Sequence, residues 1–72
     1  MDKHKQLVEI IAENVETRRK ALDLSVDKLS KVADLSLSAL NKLRLGKSTY
    51  LRIDTVYALA KALGCTVDDL LK

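Results

Sequence analysis

Four cations, Lys42, Arg44, Lys47 and Arg52, stand between Leu35 and Ile53 with no acidic residue among them. The chemistry such a grouping offers is attraction for a polyanion rather than bond making. A solvated basic face is the plainer reading of any such run, and placement on the fold is what favours a binding surface. The rest of the sequence offers little catalytic chemistry. Its single histidine, His4, has no partner at metal-ligand spacing and no Ser/His/Asp or Cys/His constellation around it. No glycine-rich phosphate loop is present. Cys65 is the only cysteine, so an intrachain disulfide and a site of several thiolates are excluded. Next to Gly64 it reads as a small buried or half-buried residue. No enzyme activity, cofactor or metal is therefore expected. With two tyrosines and no other aromatic residue, stacking platforms for single-stranded RNA are scarce.

The cations overlap the second of two short helices. The stretch LSVDKLSKVADLSLSALNKLRLG, residues 24–46, reads as a helix, a tight turn and another helix. Ser25 and Ser36 each precede an apolar-periodic run, where a side-chain oxygen can cap free helix N–H groups. The first helix, about Val26 to Ala33, would turn Val26, Leu29, Val32 and Ala33 inward. The second, about Leu37 to Leu45, would turn Leu37 or Ala39, Leu40 and Leu43 inward and stop at Gly46. Two helices at this spacing form a helix-turn-helix, whose second helix can enter a DNA major groove.

The remaining elements must hold that pair. Seventy-two residues make one small domain, residues 1–72, with a modest aliphatic core; net charge is +3. Helix formers dominate and strand-like alternation is absent, so the fold class is all-α, a compact bundle of five helices. A first helix, about Lys3 to Leu22, carries Leu7, Val8, Ile11, Val15 and Leu22 at amphipathic spacing. Arg18 and Arg19 interrupt that stripe, and one of them can lay its stem over the core with its charge outward. A fourth helix, about Ile53 to Leu63, faces Ile53, Val56, Leu59, Ala60 and Leu63 inward and ends at Gly64. Thr66 and Asp69 then mark a fifth, short helix by capping-box spacing. No apolar run approaches the roughly 20 residues of a membrane span, and no signal peptide is visible. A cytoplasmic location is expected.

Arg19, Leu24-Ser25, Leu29, Leu35-Ser36, Leu40, Gly46-Lys47 and the tail IDTVYALAKALGCTVDDLL, from Ile53 to Leu71, stand in the order and spacing of a known family. The chain resembles the lambda-repressor-like, Cro-type helix-turn-helix domains over roughly residues 11 to 72. The resemblance implies a five-helix domain that binds double-stranded operator DNA, usually as a homodimer, to regulate transcription. It places Ser36, Leu37, Ser38, Asn41 and Lys42 at the base edges. Lys42 suits guanine O6 and N7, Asn41 suits adenine, and Leu37 suits a thymine methyl. It places Lys47 on phosphate; Arg52 is also well placed for one, and the helix N-terminus at Ser25 for another.

Three positions depart from the family pattern. Val26 replaces the usual Gln at the start of the first helix of the helix-turn-helix pair. Asp34 stands at a turn position often held by Gly. Arg44 replaces the Glu that commonly pairs with the helix 1 arginine, so Arg44 faces Arg19 and is expected to turn outward or toward a phosphate. The reading is a small DNA-binding regulator, a repressor acting as a dimer on DNA. An alternative uses the same fold for contact with a partner protein through Val26, Leu37 and Leu45, with weak or lost DNA binding. Tyr50 and Tyr57 are open to partial packing, and Tyr50 in the loop can alternatively reach a phosphate or a dimer partner. Leu63, Val67, Leu70 and Leu71 would either form a two-fold interface or complete the monomer core.

Overall fold

The computed structural model describes residues 3–47 and 51–72, with side chains from Gln6 onward. Five helices follow one another: α1 (Lys3–Ala21), α2 (Val26–Val32), α3 (Leu37–Arg44), α4 (Ile53–Ala62) and α5 (Val67–Leu71). No strand occurs among the described residues. The starts follow the side-chain chemistry. Ser25 Oγ accepts from the Lys28 N–H at 3.0 Å, and Ser36 Oγ from the Ala39 N–H at 3.1 Å. Thr66 and Asp69 form a reciprocal capping box at α5.

The first four helices end alike. The residue after each C-cap is left-handed: Asp23 (φ 54°), Asp34 (φ 57°), Gly46 (φ 69°) and Gly64 (φ 70°). The N–H one residue further on closes a 6→1 bond. Leu24 donates to Arg19 O, Leu35 to Ser30 O, Lys47 to Lys42 O and Cys65 to Ala60 O. A Cβ built on Gly64 meets no atom within 4 Å, so Gly64→Ala isolates the backbone cost of the left-handed conformation. That substitution is expected to destabilise by about 1 kcal/mol, a fall of about 4–8 °C in thermal midpoint. A melt unchanged within error would exclude it.

α1 packs on α3 and α5, α2 on α3 and α4, and α4 on α5. The core is Val8, Ile11, Ala12 and Val15 from α1, Leu29 and Ala33 around α2, Leu40 and Leu43 from α3, Val56, Leu59, Ala60 and Leu63 around α4, and Leu70 from α5. Several expected core residues lie outside it. Leu7, Leu22, Val32 and Ile53 are exposed, Ile53 by 73%. Leu37 is also exposed, and so is Ala39. Helix geometry explains most of these. Val8, Ile11, Ala12 and Val15 already complete a stripe at i, i+3, i+4 and i+7, which leaves Leu7 at its flank. Leu22 is the C-cap beyond the last helical turn. On α2 the buried partner of Leu29 is Ser30, whose hydroxyl donates to Asp27 O at 2.6 Å.

Leu63 and Leu70 complete the monomer core, so they cannot face a second chain. Val67 and Leu71 instead line an apolar groove with Leu7, Ile11, Leu51 and Ile53. Asn14 Nδ2 donates to Leu70 O at 2.8 Å, giving a carbonyl in the last turn of α5 a partner on α1.

Candidate nucleic-acid interface

Leu40 and Leu43 bury one side of α3, and the opposite side is left to solvent. Leu37, Ser38, Asn41, Lys42 and Leu45 line a shallow groove there with Lys47. No acidic residue among those described lines it. The Schellman turn at Gly46 returns the chain so that Lys47 stands beside Lys42. Of the expected site residues, Ser38, Asn41, Lys42 and Lys47 are thus brought together with Leu37. Ser36 stands at the N-cap of the same helix, its hydroxyl oxygen already accepting from Ala39. Ser25 caps α2 in the same way. Arg52 borders a second cleft, between α3 and α4, which it shares with Lys42, Leu43 and Thr55. Its guanidinium meets Asp54 at 3.0 Å, a pair whose side chains are 82% and 65% exposed. Such a pair is weak and opens easily for a phosphate.

Arg44 does not behave as expected. It neither repels Arg19 nor turns to solvent, because Glu16 of α1 lies between them. Arg19 grips Glu16 with Nε and Nη2, each at 2.9 Å, and donates from Nη1 to Leu24 O. Arg44 Nε donates to Glu16 Oε1 at 2.9 Å. The Arg44 Nη1 donates to Asn41 Oδ1 at 3.1 Å. One carboxylate therefore joins α1, the α1–α2 connection and α3. Hydrogen bonds from Arg19, with further ones from Arg44, outweigh burial and hold the Glu16 carboxyl below its ordinary value. The charge of Arg19 points inward to Glu16 and Leu24 rather than outward. Glu16 is the residue that sequence reasoning missed. It lies three residues before Arg19, a spacing at which helical side chains meet, and that was the available signal.

Val26 packs partly buried against the core. It therefore does not join Leu37 in an exposed apolar patch, although Leu37 and Leu45 are 43% and 62% exposed. Asp34 takes the left-handed turn conformation usually given to Gly. Cys65 is half-buried, and burial pushes its thiol up from the ordinary value. No His/Cys/Asp/Glu group able to hold a metal occurs among the described residues, and no helix among them is long and apolar enough to cross a membrane. Tyr50 and the side chain of His4 lie outside the described residues.

Two short, serine-capped helices across a left-handed turn, the second with a basic outer face, define a helix-turn-helix. The family model of the Cro/C1-type helix-turn-helix DNA-binding domain matches residues 14–72, and the chain belongs to that family. No curated protein matches it. Among solved structures it is similar to an HTH_3 family transcriptional regulator from Vibrio cholerae, with a TM-score of 0.85 and 22% identity. The likeness covers 93% of this chain and 37% of the Vibrio chain, so it spans little more than a third of that protein's length and concerns the fold.

Proposed function

We propose that this chain is a transcriptional repressor that binds operator DNA as a dimer in the cytoplasm. The observation that carries the reading is the outer groove of α3, lined by no acid among the described residues and carrying Ser38, Asn41, Lys42 and Lys47 on a Cro/C1-type domain. In this reading α3 enters the major groove, and two copies place it in successive grooves about 34 Å apart. Ser36, Leu37, Ser38, Asn41 and Lys42 face base edges, and Ser25, Lys47 and Arg52 meet phosphates. An operator that overlaps a promoter would then be closed to polymerase, and that exclusion is the proposed repression.

Selection from a randomised duplex library, followed by a salt titration on the winner, tests this. A pseudo-palindrome with steep salt dependence is the expected result. Lys42→Ala should relax preference at one base pair, by about 1–3 kcal/mol. Arg52→Ala should weaken all sequences evenly and flatten the salt dependence by about one unit of slope. If both variants bind as the wild type does, α3 docking is wrong. Absence of any enriched sequence would turn attention to Leu37 and Leu45 as a surface for a protein partner.

A further inference from the structure

We propose that Arg44 is a positioning residue that fixes the base preference of Asn41. The inference rests on the DNA-binding reading above. An asparagine amide has an acceptor end and a donor end, and recognition of adenine uses both, accepting from N6–H and donating to N7. Here the acceptor end is engaged. Arg44 Nη1 donates to Asn41 Oδ1 at 3.1 Å, while the same guanidinium is anchored through Nε on Glu16 Oε1 at 2.9 Å. The orientation of the amide follows from chemistry. A guanidinium has only donors, so the flipped amide would set N–H against N–H. Glu16 in turn cannot swing away, because Arg19 holds both of its oxygens. The amide nitrogen of Asn41 donates to no partner among the described residues, and Asn41 lines the groove with Lys42 and Ser38. The bond takes one of the two lone pairs of Oδ1 and fixes which end of the amide faces Arg44, so the unpartnered N–H2 is the end left free for a base. Guanine, whose major-groove edge offers the acceptors N7 and O6, needs only that donor, whereas adenine also needs its N6–H aligned with the remaining lone pair of an oxygen already drawn to Arg44, so the bond tilts the preference toward guanine.

The test compares four proteins in the duplex selection: wild type, Asn41→Ala, Arg44→Met and Arg44→Lys. Asn41→Ala identifies the base pair, as the one position where preference flattens. At that pair the wild type should favour guanine over adenine, and Arg44→Met should reverse the order by roughly tenfold. Arg44→Met keeps the stem, and Glu16 keeps its paired contact with Arg19, so the fold survives. Arg44→Lys keeps the charge, but its single ammonium lacks the fork that reaches Glu16 and Asn41 together. It should shift the preference in the same direction, whereas a residue serving only as a phosphate contact would leave the preference unchanged in both variants. An enriched wild-type site whose preferences survive both Arg44 substitutions overturns this inference alone. So does an Asn41→Ala variant with an unaltered site. A wild type that enriches no sequence overturns the DNA-binding reading and the inference with it.

Discussion

Leu40→Ala lowers the thermal midpoint by about 12–24 °C. Leu40 is fully buried and, with Leu43, is what fastens α3 to the rest of the bundle. An eight-residue helix has little stability of its own in water, so the outer groove exists only while this seam holds. Removing the leucine side chain from such a site costs about 3 kcal/mol, from lost burial and from the cavity left behind. For a domain of this size each kcal/mol moves the midpoint by about 4–8 °C. Thermal and urea unfolding measure the loss directly. At a temperature well below its midpoint the variant should still bind the selected duplex, because Leu40 contributes nothing to the groove lining. A drop of only a few degrees would mean that α3 is held by something other than its leucine seam.

Glu16→Ala has the second large effect, and it differs in kind. It leaves two guanidiniums facing each other with 13% and 27% of their side chains exposed and no anion between them. Truncating one member of a fully buried ion pair costs about 3–5 kcal/mol. Partial exposure and the remaining bonds of Arg19 to Leu24 O and Arg44 to Asn41 reduce this to about 2 kcal/mol, or about 8–16 °C. The effect carries a pH signature. A carboxyl whose folded value lies below its ordinary 4.5 contributes stability that is present above that value. The contribution is lost as pH falls through the folded value. Wild type should therefore lose more stability than Glu16→Gln as pH falls from about 5 toward 3. Asp69, also lowered by its bond from the Thr66 backbone, is common to both proteins and cancels in the comparison. Parallel melting curves across that range would remove Glu16 as the junction of α1 and α3.

Much of the fold was legible because its signals are local. Serine caps, glycine stops and the Thr66–Asp69 box depend on a few adjacent residues, and all of them stand where the sequence puts them. The left-handed Asp34 was legible in the same way, by its place in the turn. Asp23 was not, since nothing distinguishes an aspartate that ends a helix from one on its surface until the following N–H is seen to reach back to Arg19. Burial was less legible than helicity. Leu7, Leu22, Val32 and Ile53 have the right residue type, but their exposure depends on where the neighbouring helices stop covering them. Groove residues on α3 were readable as a set because Leu40 and Leu43 fix which face is inward. The arginine pair was misread because a pairwise argument saw like charges and not the third residue between them. Only the three-dimensional arrangement shows Glu16, Arg19 and Arg44 sharing one carboxylate.

The Asn14–Leu70 bond spans 56 positions of sequence, and it lies in the seam where α1 meets α5. In kinetic terms this seam is the costly one. α2 and α3 can find each other across a short loop, whereas docking α5 on α1 requires nearly the whole chain to have been closed. That contact is expected to form after the rate-limiting barrier. Leu70→Ala should then accelerate unfolding while hardly changing the folding rate, a result that stopped-flow measurements on both limbs of the chevron would show. The lifetime of the folded domain is then governed at the α1–α5 seam, away from the outer groove of α3.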